Sequence, residues 1–168
     1  MALYKVIDNY LSKQDANFIA TNMMGQEFPW YYNDGHTEYP QLVHLFWIPS
    51  EGIERFGRTS IQASYFDILT PLLRKLQALA IIRIKANCNW RVDNAIARPF
   101  HVDFESIQCK TAIYYVNTND GYTLLKDGTK INSVANRLLI MDSDVQHAAV
   151  PSTDTERRVL INLNYHPS

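Results

Sequence analysis

The rhythm of the chain after Ala80 is what most constrains its fold. Short apolar, β-branched or aromatic runs follow one another: Ile81 to Asn87, Thr111 to Val116, Arg137 to Met141, His147 to Val150 and Arg158 to Tyr165. Turn signals separate them, most clearly Asn119-Asp120-Gly121 and Lys126-Asp127-Gly128-Thr129. Asn, Asp and Gly tolerate the backbone angles of tight turns. Repeated short strands of this kind, placed after a helical N-terminal part, point to a jelly roll or barrel rather than a parallel α/β sheet.

The N-terminal part differs in character. Residues 1–25 read as a strand, Tyr4 to Ile7, followed by a helix. Ser12 and Asp15 resemble a capping box with Asp in place of Glu. Ala16, Ile19, Ala20 and Met23 then share one helical face, and Gly25 ends it. Residues 26–62 are aromatic and turn-rich, with Phe28-Pro29-Trp30-Tyr31-Tyr32, a turn at Asn33-Asp34-Gly35 and a strand from Leu42 to Ile48. A second helix is expected over about 64–79, through Tyr65, Leu69, Leu72, Leu73, Leu76 and Leu79. Pro71 within it forces a kink or a late start near Thr70. The 168 residues are read as a single domain, mainly β with N-terminal helices. In that reading 1–79 form a helical and aromatic support and 80–168 a jelly-roll core.

The net charge of -1, with no basic block, argues against a nucleic-acid partner. No apolar run approaches the roughly 18 residues of a membrane span, and the first residues lack a signal-peptide pattern. Cys88 and Cys109 form neither a disulfide framework nor a CxxC site. They are expected as buried thiols, and a reducing cytoplasm is the expected location.

His101 and Asp103 stand two positions apart, so on extended backbone they point to one face and can reach one ion. His147, from a distant strand, would complete a two-His, one-carboxylate set with open metal positions. That set suits non-haem Fe(II) binding a co-substrate and oxygen together. Arg158 could hold a carboxylate of that co-substrate through a bidentate pair. Alternation chooses between Arg157 and Arg158. With Arg158 inward, Leu160, Asn162 and Asn164 face inward too. With Arg157 inward, the set is Val159, Ile161 and Leu163. The polar set suits a site and favours Arg158.

Blander readings stand beside these. His-x-Asp arises readily by chance in a chain with five histidines, and His101 and His147 also read as surface or hydrogen-bonded core residues. Asp142 and Asp144 read as a turn before the strand of His147. His36, His44 and His166 lack an acidic partner at ligand spacing and read as surface or substrate-side residues. The cluster Phe28 to Tyr32 reads as packing between helices and barrel, or as a substrate groove.

Several motifs in order carry a resemblance: Val6 to Asp15, His101-Val102-Asp103, Cys109 to Asn117, Asp120 to Leu124, Arg137 to Met141, His147 and Arg158 to Tyr165. Together they resemble the Fe(II)- and 2-oxoglutarate-dependent dioxygenases, in the branch that includes the prolyl hydroxylases. The small stand-alone oxygenases of bacteriophages and marine microbes are the nearest in style. The resemblance spans nearly the whole chain and implies a double-stranded β-helix (jelly-roll) core. It implies His101, Asp103 and His147 as catalytic ligands of Fe(II), and Arg158 as partner of the distal carboxylate of 2-oxoglutarate. It further implies Tyr114 as a second group aimed at that carboxylate, and Asn87 as a pocket-lining residue on the first core strand. Leu160 departs from the pattern, since many relatives place Ser there. The implied reaction uses O2 to hydroxylate a C–H bond, releasing succinate and CO2. The primary substrate stays open between a peptide prolyl or other side chain and a small metabolite. Two further readings stay open: a cupin-like metal enzyme without 2-oxoglutarate, and a metal-free jelly-roll binding module. Arg158 and Tyr114 count against the first, and the His-x-Asp and His147 set against the second.

Overall fold

The computed structural model describes residues 3–33, 41–48, 63–105 and 107–168; His36 and the turn after Asn33 lie outside them. Strands β1 (Tyr4–Ile7), β2 (Tyr31–Asn33) and β3 (Gln41–Trp47) share the first part of the chain with helix α1 (Lys13–Met24). A 3-10 segment, Ala63–Leu69, runs into α2 (Thr70–Leu76). Then come β4 (Ala78–Trp90), β5 (Lys110–Tyr115), β6 (Tyr122–Leu125), β7 (Lys130–Asn132), β8 (Arg137–Asp142), β9 (His147–Val150) and β10 (Arg157–Pro167). Every pairing is antiparallel. A seven-stranded sheet has the order β1-β8-β5-β10-β4-β3-β2, and a three-stranded sheet the order β7-β6-β9. The result is a jelly roll, mainly β with its helices near the N-terminus.

β10 lies at the centre of the large sheet, and its alternation gives that sheet two different faces. Val159, Ile161, Leu163 and Tyr165 join Ile84, Ala86, Cys88, Ala112 and Tyr114 against Ile19 and Met23 of α1 and Leu69 and Leu72. On the opposite face, Ile113, Tyr115, Leu139, Met141 and Leu160 meet Leu125 and Ile131 of the small sheet. One face therefore carries the helices, and the other packs against the small sheet. β1, β2 and β3 all pair into the large sheet, so residues before 80 build sheet as well as support. Both cysteines are buried free thiols, and burial pushes Cys88 up to about 11.

Local chemistry sets the helix ends. The Ser12 hydroxyl accepts the Asp15 N–H at 3.1 Å and donates to the Asp15 carboxylate at 2.8 Å. The shorter Asp thus returns to the cap hydroxyl. α2 starts at Thr70 with Pro71 in its first turn, where a missing N–H breaks no helical bond. It ends three residues earlier than expected because Gln77 takes the left-handed conformation (φ 52). Leu79 belongs to β4 instead. β6 and β7, only four and three residues long, flank the Lys126 to Thr129 turn and are strands that the sequence reading did not single out.

His44 corrects an expectation. It is fully buried among Phe28, Phe46 and Tyr65, with ring centroids at 4.7, 4.5 and 5.8 Å, and is neither a surface nor a substrate-side residue. Its Nδ1 lies 2.8 Å from the Pro29 carbonyl, and burial lowers its pKa. The aromatic cluster around it is packing.

Asn136 fastens the N-terminal segment to the sheet. It holds a left-handed backbone (φ 63), which Asn tolerates better than most residues. Its Oδ1 accepts from the Leu11 N–H at 2.8 Å and the Tyr114 hydroxyl at 3.3 Å, and its Nδ2 donates to the Leu11 carbonyl at 2.9 Å. Asn136→Ala should cost about 2–3 kcal/mol in urea denaturation, through the lost bonds and the unfavourable φ. Asn136→Gly should recover part of that loss.

Candidate functional site

Two segments far apart in sequence meet at β9. The His101 N–H donates to the His147 carbonyl and the His147 N–H to the His101 carbonyl, both at 3.0 Å. With Arg98 N–H donating to the Ala149 carbonyl at 2.9 Å, residues 98–101 are laid beside β9 as an extension of the small sheet. The two imidazole centroids are 4.5 Å apart. Ligand atoms of His101, Asp103 and His147 all lie within 4.8 Å of one another. Nδ1 of His147 faces the Val145 carbonyl at 2.9 Å, and Nδ1 of His101 faces the Pro99 carbonyl at 3.4 Å. A carbonyl only accepts, so Nδ1 carries the hydrogen and each Nε2 keeps its lone pair. Desolvation, and then the neighbouring His147, push the His101 pKa down and favour the neutral ligand form.

Asp103 is held from the other sheet. Its Oδ1 accepts from Arg83 Nη2 at 2.8 Å, and its Oδ2 from Thr111 Oγ1 at 2.8 Å, Asn164 Nδ2 at 3.0 Å and Asn162 Nδ2 at 3.2 Å. Burial works to raise its pKa. Arg83, His147 and the hydrogen bonds outweigh that and hold the carboxyl well below its usual range. The site thus joins imidazoles on the small sheet to a carboxylate anchored on the large one.

Further along the same inner face, Arg158 is completely buried. Its Nε donates to Ser133 Oγ at 2.8 Å and its Nη2 to Thr123 Oγ1 at 3.2 Å. Thr123 Oγ1 also accepts the Tyr115 hydroxyl at 2.7 Å, so its own hydrogen is left to donate elsewhere. Nη1 of Arg158 is buried without a hydrogen-bond partner, and among the described residues no carboxylate pairs with this guanidinium. Burial lowers its pKa to about 10, which still leaves it charged at neutral pH. A desolvated cation with a free N–H calls for an anion. Gly121 makes room for its stem. A Cβ there would lie 2.7 Å from Arg158 Cδ and 2.9 Å from the Val150 carbonyl. Arg157 points away and donates to the Met24 carbonyl at 2.7 Å.

Between these two centres, Asn87 and Leu160 lie opposite each other in register on the inner face. Asn162 lies four positions beyond Arg158 on β10, about 13 Å along the strand. Asn162 Oδ1 is also buried without a partner. Tyr114 requires a correction. Strand alternation puts it among the helix-facing residues, with its hydroxyl on Asn136, on the opposite side of the sheet from Arg158. Tyr115 occupies the inner face instead, its ring centroid 5.7 Å from the Arg158 guanidinium carbon. Asp142 ends β8 and pairs with Lys110 at 2.5 Å, apart from the triad.

The sequence reading did not pick out Arg83, Lys85, Thr111, Thr123 or Ser133. Arg83-Ile84-Lys85-Ala86-Asn87-Cys88-Asn89 alternates polar and apolar side chains, which carried the signal for the first two. Burial, and then Arg83, lower the Lys85 pKa to about 8 from 10.5, with Asp103 opposing. Below about 8 the fold bears the full penalty of this buried charge, and the penalty is relieved as pH rises toward 10.5. Lys85→Met should therefore raise the thermal midpoint at pH 7, with a gain that shrinks in melts taken between pH 8 and 10.

No protein-family model matches this sequence, and no curated protein matches it. Solved structures do. A prolyl-4-hydroxylase of Pseudomonas putida superposes with a TM-score of 0.62 at 15% identity, over 97% of this chain and 92% of that one. A prolyl hydroxylase of Trichoplax adhaerens, solved with a hypoxia inducible factor oxygen degradation domain peptide, gives 0.67 at 16% identity, over 98% and 84%. The non-heme alpha ketoglutarate dependent epimerase SnoN of nogalamycin biosynthesis gives 0.62 at 12% identity, over 98% and 80%. The chain shares the jelly-roll fold of these two prolyl hydroxylases and this epimerase.

Proposed function

We propose that the chain is an Fe(II)- and 2-oxoglutarate-dependent oxygenase. His101, Asp103 and His147 are its metal ligands, and Arg158 is the clamp for the distal carboxylate of 2-oxoglutarate. The observation that carries this reading is the buried guanidinium with its unpartnered Nη1, set on the same inner face as a two-His, one-carboxylate cluster. A metal site alone has no use for such a cation, and a binding module has no use for the triad. Both donor sets fit their groups. Two Nε2 atoms, each the nitrogen left free by its ring's Nδ1–carbonyl contact, and one ionised carboxylate suit Fe(II) with positions left open. The free Nη1–H and the Thr123 O–H suit a carboxylate.

Bound Fe(II) and 2-oxoglutarate supply the oxygen chemistry. In balance, substrate C–H, 2-oxoglutarate and O2 give substrate C–OH, succinate and CO2. The protein's part is placement. The Val145 and Pro99 carbonyls fix the imidazole tautomers, and the donors around Asp103 keep its carboxylate ionised and aimed. Asn87 lines the pocket between clamp and metal, and Leu160 adds an apolar wall where a hydroxyl would donate. Tyr115 and Thr123 complete the anion seat in place of Tyr114. We take the chain to act as one oxygenase domain in a reducing cytoplasm, where Fe(II) and the two thiols stay reduced. Two of the similar structures are prolyl hydroxylases and one is an epimerase, so a peptide prolyl residue is the first substrate to test. Other peptide side chains and small metabolites follow.

Calorimetric titration of 2-oxoglutarate into the Mn(II)-loaded protein tests the clamp. Arg158→Met should weaken binding about 100-fold, the value of a lost charge-assisted pair. Gly121→Ala should weaken it as well by displacing the Arg158 stem, and both variants should retain the metal. Undiminished 2-oxoglutarate binding in Arg158→Met would overturn the assignment.

A further inference from the structure

Asp103, the carboxylate of the proposed metal site, already has a cation on it. Arg83 Nη2 donates to Asp103 Oδ1 at 2.8 Å, and Arg83 Nε donates to Asn164 Oδ1 at 2.9 Å. The guanidinium carbon lies 5.2 Å from the Phe104 ring centroid. The two carboxylate oxygens are not equivalent. Oδ2 takes three neutral donors, from Thr111, Asn164 and Asn162. Oδ1 takes Arg83 and only a marginal 3.5 Å contact from Asn162. The neutral donors therefore suffice to fix the carboxylate's orientation through Oδ2. Oδ1 is the oxygen with a lone pair to give a metal, and it is the one Arg83 occupies.

We infer that Arg83 is a built-in counter-cation that shares Asp103 Oδ1 with the metal and so restrains the metal affinity of the site. The inference rests on the proposed metal reading and deepens it. Before metal arrives, the guanidinium is the cation in direct contact with this ionised, nearly buried carboxylate. After metal arrives, two cations share one oxygen and repel, so the metal is held less tightly than three such ligands alone would hold it. Asn164 and the Phe104 ring give Arg83 a second anchorage as Oδ1 turns toward the metal.

Anaerobic titration of the apoprotein with Fe(II), and in parallel with Mn(II), tests this without recourse to turnover. Arg83→Met and Arg83→Gln, both neutral, should bind metal about tenfold more tightly than wild type, while Arg83→Lys should stay within about threefold. A merely structural arginine predicts the reverse, weaker binding in all three variants. Equal or weaker affinity in the neutral variants, with native circular dichroism, overturns the inference. If neither neutral variant folds, Arg83 holds the fold rather than the metal, and the inference fails equally. A wild-type protein that binds no metal, or a His147→Ala variant that binds as well as wild type, sinks the metal reading itself. Those results are distinguishable from failure at Arg83 alone.

Discussion

Alternation along β10 is the constraint on which the rest of the molecule depends. The strand is central, with β4 on one side and β5 on the other, so each of its side chains is committed to one buried face. Val159, Ile161, Leu163 and Tyr165 close the core under the helices. Arg158, Leu160, Asn162 and Asn164 share the opposite face, toward the small sheet. A slip of one residue would exchange the two sets and drive a guanidinium and two amides into hydrocarbon. The long pairing with β4, from Arg157 to Pro167, makes that slip costly. The same register fixes the distance between the guanidinium and the carboxylate network.

The site belongs to neither sheet alone. The small sheet supplies His147 and, through a reciprocal pair of backbone bonds, His101. The large sheet supplies the donors that hold Asp103 and the strand that carries Arg158. The segment from His101 to Asp103 ties the two together: His101 pairs with His147 of β9, while the Asp103 N–H reaches the Ser143 carbonyl just after β8 at 3.1 Å and its carboxylate reaches β4, β5 and β10. Ligands fixed by bonds from opposite sides need little reorganisation when a metal or an anion arrives, which is what such chemistry asks of a scaffold.

Much of this is legible in the sequence because period-2 patterning is strong where one face is polar. It places His101 with Asp103, and it selects Arg158 over Arg157. The same rule is weak on β5, where Ala112 and Tyr114 on one face and Ile113 and Tyr115 on the other are apolar or aromatic and Thr111 is the strand's lone polar residue on the inner face. Only the register with β10, Tyr114 opposite Ile161, turns Tyr114 toward the helices and Tyr115 toward Arg158. His44 escaped for a different reason: its Nδ1 meets a carbonyl fifteen residues away, a contact that local sequence does not encode. The early end of α2 hangs on one left-handed residue, Gln77, that interrupts an otherwise continuous apolar stripe. Thr123 and Ser133 are ordinary surface-type residues until the fold brings them to a buried guanidinium.

The central claim is that one site holds a ferrous ion and a 2-oxo acid together. The most direct measurement is the visible absorption of the anaerobic protein titrated with Fe(II) and 2-oxoglutarate. The account predicts the weak charge-transfer band of a 2-oxo acid chelated to iron, and its loss in His147→Ala. Iron binding without that band, or a band that survives His147→Ala, would contradict it.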